Sequence, residues 1–375
     1  MDPFKAIRPY QDYEVKPVLT ALINNPDVLK ALLSLKYPGY VLKIPLFKTL
    51  VKISLKLKAN KIRSIDDYQD IFKDLMDHVI ETSTSKLTIE GDEHLDINSS
   101  YLFISNHRDI ALDAAFLNLL LSRQGHTTFN IAVGNNLMQE TWASDLMRLN
   151  KSFIIQRSGG SKKEIYSGLA LASQFIQETI FDKGESIWIA QKQGRAKDGI
   201  DQTDPALLKM IHLAERKSQS IAEYFTSLKV VPVSISYELD PNDQLKAFEL
   251  AANDGNTPYV KEKNEDLKSI ANGVQGFKGH VHITISDPLV PSPDLTYEDL
   301  ATLITNKIVA SYYLHPTNYA AYEMLNPGSR IANGHFDSSH TQELSKRLEG
   351  LEAGVGSKLL EQYANPLIQK ISLNR

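Results

Sequence analysis

The sequence predicts an α/β protein: a mixed, largely parallel sheet of about seven strands flanked by helices, with helical extensions at both ends. Three observations carry this. Short apolar runs of four to eight residues recur along the middle of the chain. Helical stretches lie between most of them, and both ends read as helix alone. Parallel strands need crossover connections, so strands alternating with helices give a sheet with helices on its faces.

Taken in order, residues 1–84 read as helix in pieces, punctuated by Pro17, Pro26, Pro38 and Pro45. Helical spacing is clear over Val18–Leu35 and Ile65–Ser83. The rhythm then changes. Runs rich in Ile, Val, Phe and Tyr predict strands at Leu87–Glu90, Tyr101–Ser105, Phe129–Val133, Phe153–Gln156, Ser186–Gln191, Val230–Tyr237 and His280–Ser286. Helices are expected between them at Ala114–Ser122, Leu137–Leu149, Ile165–Phe181 and Pro205–Leu228. Beyond Pro293 the helical pattern returns at Thr296–Tyr312 and Thr341–Leu351, the second opening on a capping box near Ser339 and Glu343. The expected organisation is a helical region over 1–84, an α/β domain over 85–290 and a helical extension over 291–375.

Composition narrows the function. A chain of 375 residues with 42% hydrophobic and 23% charged side chains can bury a substantial core. There is no cysteine, which excludes disulfides, thiolate nucleophiles and cysteine-based metal sites. The first residues lack an apolar h-region, and no apolar run is long enough to span a bilayer. A cytoplasmic protein is expected. The net charge of −4 argues against a nucleic-acid partner. Residues 28–65 break that average, with nine Lys or Arg and no Asp or Glu. Within 40–63, Lys48, Lys52 and Lys56 recur every four residues among Leu46, Phe47, Leu50, Val51, Ile53 and Leu57. This is a basic amphipathic helix. It either packs one face on the core or lies in the interface of an anionic membrane.

Several familiar motifs are absent: no G-x-S-x-G, no Walker A loop, no G-x-G-x-x-G and no H-E-x-x-H. His280 and His282 share one face of a strand, where packing is the simpler reading. The segment Ser105-Asn106-His107-Arg108-Asp109-Ile110-Ala111-Leu112-Asp113 stands apart. It joins the carboxyl end of a strand to a helix start, where α/β proteins place their sites. A histidine oriented by a carboxylate is a general base. The bland alternative is a helix start at which Asp109 caps and His107 only hydrogen-bonds. Two further strands end in Arg157 and in the turn Lys192-Gln193-Gly194-Arg195-Ala196-Lys197-Asp198-Gly199, and cations gathered there suit a phosphate.

In these blocks the chain resembles the glycerolipid acyltransferases, which include glycerol-3-phosphate and 1-acylglycerol-3-phosphate acyltransferases. Their four ordered blocks are N-H-x-x-x-x-D, a strand of the type G-x-x-F-I-x-R, a F-x-E-G-x-R-S-R turn and a V-P-V strand. They correspond here to Asn106–Asp113, Asn150–Arg157, Ala190–Gly199 and Val230–Tyr237. The span is roughly residues 85–290, and Val-Pro-Val-Ser-Ile-Ser-Tyr-Glu favours the glycerol-3-phosphate branch. Two departures stand out. Five residues separate His107 from Asp113 where the family has four, so Asp109 is a rival partner. Gln193 replaces the family glutamate, with one residue fewer before Arg195.

The resemblance implies a glycerol-3-phosphate acyltransferase-like fold and direct acyl transfer. The donor would be an acyl thioester, acyl-CoA or acyl carrier protein. The acceptor would be a hydroxyl of glycerol-3-phosphate or its lysophosphatidate, in phospholipid biosynthesis. His107 would be the base and Asp113 its partner. Arg108, Arg157, Gly194, Arg195, Lys197 and Pro232 would bind the acceptor, and backbone amides near the start of the Ala114 helix would hold the oxyanion. No metal or other cofactor is implied. The product is a lipid, so a peripheral protein on the inner face of a membrane is expected. Two alternatives remain open: an inactive lipid- or phosphate-binding protein of the same fold, and an acyl-thioester hydrolase.

Overall fold

The computed structural model describes residues 2–30, 45–137, 140–254, 259–261 and 265–374. The chain falls into two compact units. The smaller comprises residues 1–77 and 129–176; the larger comprises 78–128 and 177–375. These are not the three consecutive stretches expected from the sequence. Residues 129–176 group with the N-terminal residues, and the C-terminal helices group with most of the strands.

All seven expected strands are present, each within two residues of its predicted ends: β1 (Lys86–Glu90), β2 (Leu102–Ser105), β3 (Asn130–Gly134), β4 (Ser152–Ile155), β5 (Ile187–Ala190), β6 (Val230–Tyr237) and β7 (His280–Ile285). In the larger unit five strands run in the order β1-β7-β6-β2-β5. β1/β7, β6/β2 and β2/β5 are parallel, and β7/β6 is antiparallel. Every residue of β2 and β6 is buried. That explains why their sequences are largely apolar, interrupted only by Ser105, Ser234 and Ser236, since strands covered on both faces need not alternate.

In the smaller unit β3 pairs in parallel with β4. Helices α1 (Asp12–Asn24), α2 (Pro45–Ala59) and α3 (Ile65–Ser83, its last residues belonging to the larger unit) open the chain. Val15, Leu19, Leu22, Ile62, Ile65 and Leu149 form one buried cluster there. The single helix expected over Val18–Leu35 is interrupted: α1 starts earlier, at Asp12, where a Gln11–Glu14 capping box fixes it, and ends at Asn24, because Asn25 is extended. Residues 31–44, including part of the basic 40–63 segment, lie outside the described residues. α5 (Thr141–Leu149) and α6 (Lys162–Gln177) complete the unit; the last residue of α6 and the π-helical turn over Glu178–Asp182 that continues it belong to the larger unit.

The larger unit adds α4 (Leu112–Arg123) after β2. The single helix expected over Pro205–Leu228 is two, α7 (Pro205–Ile211) and α8 (Ile221–Ser227). Ser220 and Glu223 form a capping box that starts α8 afresh. Two helices not read from the sequence, α9 (Asp243–Asn253) and α10 (Glu265–Gln275), lie between β6 and β7. After β7 come α11 (Tyr297–Ser311), α12 (Pro316–Leu325), α13 (Ser338–Leu348) and α14 (Ala353–Leu373). Asp337, not Ser339, caps α13. α12 and α14 were also not read from the sequence. Ala247, Ala320, Leu344, Leu359 and Ala364 join α9 and α12–α14 in one buried cluster.

Candidate active site

β2 ends at Ser105, and the next eight residues build the site. Asn106 is fully buried. Its Nδ2 donates to the Ile235 carbonyl (3.0 Å) and to Asp201 (3.1 Å), and its Oδ1 accepts from the Ile235 N–H (2.8 Å). The side chain therefore takes the place of a strand neighbour for β6 and fixes the turn that presents His107.

His107 Nδ1 lies 2.8 Å from Asp113 Oδ2. The intervening five residues do not prevent the contact, because the chain turns into α4 and brings Asp113 back under the imidazole. The same oxygen accepts from the backbone N–H of Arg108 (2.6 Å) and of Asp109 (3.0 Å), and Asp113 Oδ1 accepts from the Tyr237 hydroxyl (2.8 Å). Burial pushes the Asp113 carboxyl up, but His107 and the two backbone N–H groups outweigh it and hold the carboxyl below its usual range. Asp113 is thus an anion with no exposed surface. His107 keeps a little exposure, 14% of its side chain, and meets the edge of Trp188. With Nδ1–H donated to Asp113, Nε2 is the nitrogen left to take a proton.

Asp109, the rival, has a different place. Its Oδ1 accepts from the N–H groups of Ala111 (3.0 Å) and Leu112 (2.9 Å) at the start of α4. Burial, then the charge of Asp113, pushes its carboxyl up. Gly273 of α10 lies against it: a Cβ there would stand 2.2 Å from Asp109 Oδ2. These contacts bear on the amides expected to hold the oxyanion. The N–H groups of residues 108, 109, 111 and 112 are occupied by the two aspartates.

Arg108 is buried and forks onto Asp201, with Nη1 2.8 Å from Oδ1 and Nη2 2.7 Å from Oδ2. Its guanidinium lies 5.4 Å from the centre of the Tyr312 ring. Asp201 also accepts from Gln191 Nε2 (3.1 Å), and its backbone pairs reciprocally with the Gln369 amide of α14. Neither Asp201 nor Tyr237 was singled out from the sequence. Asp201 falls just beyond the third block. Tyr237 ends the fourth, and no spacing rule tied it to a residue more than a hundred positions earlier.

The turn after β5 is joined to the histidine through its backbone, Ala196 N–H donating to the His107 carbonyl (2.9 Å). Gly194 sits at φ +78 with open space around it. Its left-handed backbone, which L side chains rarely adopt, is what requires glycine there. Arg195 Nη1 donates to Ser269 Oγ of α10 (2.6 Å), and Lys197 pairs with Glu249 of α9. Lys246 of α9, also buried, donates to the Arg108 carbonyl (2.7 Å) and pairs with Asp240. Pro232 lies mid-strand in β6 opposite Ile104, its carbonyl accepting from Ser286 N–H (3.0 Å). Arg157 follows β4 in the smaller unit, where its N–H donates to Asn135 Oδ1 (3.1 Å). Among the described residues no group of three or more His, Asp or Glu could hold a metal ion.

Residues 86–236 match the model of the Acyltransferase family. That segment runs from β1 nearly to the end of β6 and contains all the expected site residues. Among solved structures, the crystal structure of the 1-acyl-sn-glycerophosphate acyltransferase from Thermotoga maritima is similar to this chain. Its identity is 15% and its TM-score 0.36, over 79% of this chain and 94% of that one. No curated protein matches the sequence.

Proposed function

We propose, from the match of residues 86–236 to the Acyltransferase family model, that the protein moves a fatty acyl group from an acyl thioester, acyl-CoA or acyl carrier protein, to a hydroxyl of glycerol-3-phosphate or 1-acylglycerol-3-phosphate. The observation that carries this reading is the buried, hydrogen-bonded Asp113 behind a partly open His107.

The acceptor hydroxyl gives its proton to His107 Nε2 as its oxygen attacks the thioester carbonyl. The imidazolium forms against Asp113. The tetrahedral intermediate then collapses, the C–S bond breaks, and the departing thiolate takes the proton from Nε2. The chain offers no cysteine for a covalent route. Arg195 and Lys197 flank the residue bonded to the His107 carbonyl, and they are the groups proposed to meet the acceptor phosphate. Arg108 contributes through Asp201, holding the turn that carries these side chains.

The product is a lipid, and the proposal includes a peripheral place on an anionic membrane. Leu50, Ile53 and Leu57 of α2 are half or more exposed, beside Lys52, Lys56 and Lys58. Among the described residues no helix is long and apolar enough to cross a membrane.

The test is thiol release from palmitoyl-CoA by the pure protein, with no acceptor, with glycerol-3-phosphate and with lysophosphatidate. Release should depend on an acceptor and fall by about 10²–10⁴-fold in His107→Ala, the usual contribution of a placed base. Acceptor-independent release would replace this reading with a thioester hydrolase. Silence with both CoA and carrier-protein donors would leave a binding protein.

A further inference from the structure

Asp113 has two oxygens with unequal duties. Oδ2 takes three donors: the His107 imidazole and two backbone N–H groups. Oδ1 takes the Tyr237 hydroxyl at 2.8 Å. Because Asp113 has no exposed surface, water cannot stand in for that hydroxyl.

Tyr237 is the last residue of β6. It is buried, its ring lies tilted against Phe116 with centroids 6.5 Å apart, and its backbone pairs with Val281 of β7. Sheet and helix together hold the hydroxyl in place. Burial, then the charge of Asp113, pushes the phenol well above its usual range, so the group remains an O–H donor at any working pH.

We propose that Tyr237 is a positioning residue for the acyl transfer, completing a His107–Asp113–Tyr237 relay in which its hydroxyl fixes the rotamer of Asp113 and sets how strongly that carboxylate supports the imidazolium. This rests on the acyltransferase reading above. A donor on Oδ1 spreads the carboxylate charge and makes Asp113 a weaker base. The proton taken from the acceptor then stays on His107, from where it can be returned to the thiolate. The other charged groups about the relay are Asp109, Asp240, Arg108, Arg195 and Lys246. They remain in place when only the phenol oxygen is removed.

Tyr237→Phe should lower kcat by about tenfold, a difference of about 1.4 kcal/mol in the barrier. The acceptor KM should stay within about twofold, because the hydroxyl does not face the substrate. The acid limb of kcat/KM should move to higher pH, since a less solvated carboxylate holds the imidazolium more firmly. A purely structural role would not move that limb. Fluorotyrosine at position 237 keeps the shape, so the fold is preserved even if Tyr237→Phe is unstable. It is the stronger donor and should move the limb the opposite way.

The His107 imidazole titration, followed by NMR in wild type and in both variants, separates the two claims. A shift in that midpoint without acceptor-dependent turnover supports the relay and overturns the acyl-transfer reading. Turnover with kcat, acid limb and midpoint all unchanged in both variants overturns the relay.

Discussion

The corner where β2 passes into α4 and the outer face of α2 treat their side chains in opposite ways. At the corner the buried polar groups meet one another: Asn106 with Ile235 and Asp201, Arg108 with Asp201, Asp113 with four donors. α2 is apolar on two sides. Val51, Leu55 and Ala59 are half-buried on its inner side. Leu50, Ile53 and Leu57 stand 64%, 50% and 63% exposed on the other. A buried charge left unpaired costs free energy, so the corner must be completed within the fold. Exposed apolar side chains meet water in the folded and the unfolded chain alike, so α2 is stable as it stands, and covering that face would be favourable. The difference separates residues that hold the site from residues that place it.

The largest expected effect tests the completed corner. Asp201→Ala removes the carboxylate that receives Arg108, Asn106 and Gln191. It leaves a guanidinium buried without its counter-charge. Urea unfolding should show a loss of about 3–5 kcal/mol. Replacing both ends, Arg108→Met with Asp201→Leu, should restore much of it, since an apolar pair needs no partner. A loss under about 1 kcal/mol in the single variant would mean that the corner tolerates a gap, and the contrast with α2 would fail.

That corner was only half legible in the sequence. His107 and Asp113 were readable because strand end, helix start and family block coincide. The choice between Asp113 and Asp109 was not, because it depends on how tightly the chain turns into α4. Asp201 contacts Asn106 and Arg108 over more than ninety residues, a distance no local pattern encodes. The strands were legible from their apolar runs. α9 and α10 were not, because the positions they bury are Asp243, Lys246 and Ala247 in one and Ser269 and Gly273 in the other. A helix that buries polar and small residues shows no apolar stripe. α14 carries Pro366 inside it and Gly354 and Gly356 in its first turn, which read as breakers. Missing these helices hid Glu249 and Ser269, the partners of Lys197 and Arg195.

A second effect, of intermediate size, comes from a histidine cluster beside β1, in which His282 Nε2 lies 3.5 Å from Glu90. His280 and His282 both meet Thr88 Oγ1, at 2.6 and 2.7 Å, and His315 lies 3.2 Å from Ser236 Oγ. Burial, then the neighbouring His280, pulls the His315 imidazole down to about 3. The folded state refuses a proton that the unfolded state accepts below about pH 6.5. The stability His315 contributes is therefore complete above that pH and is lost as pH falls from about 6.5 toward 3, at roughly 1.4 kcal/mol per unit. Between pH 7.5 and 5.0 the loss should be about 2 kcal/mol, and His315→Gln should flatten this slope. Equal slopes in the two proteins would place the acid lability elsewhere.

The smallest effect on stability is expected at α2, and its smallness is the point. Leu50→Ser, Ile53→Ser and Leu57→Ser together remove apolar surface that the fold leaves in water. Each should change unfolding free energy by no more than about 0.5 kcal/mol. Cosedimentation with anionic vesicles should respond instead. Burying three such side chains in an interface contributes a few kcal/mol, and losing them should weaken binding by about 10²-fold or more. Neutralising Lys48, Lys52 and Lys56 should weaken it by a similar factor, at about 1 kcal/mol for each lysine near the surface. The two triple variants separate the contributions through salt. The loss in the leucine and isoleucine variant should persist at high ionic strength, while that in the lysine variant should shrink, because screening removes its electrostatic share in the wild type as well. Vesicle binding unchanged in both, with stability also unchanged, would mean that the outer face of α2 waits for a partner other than a membrane.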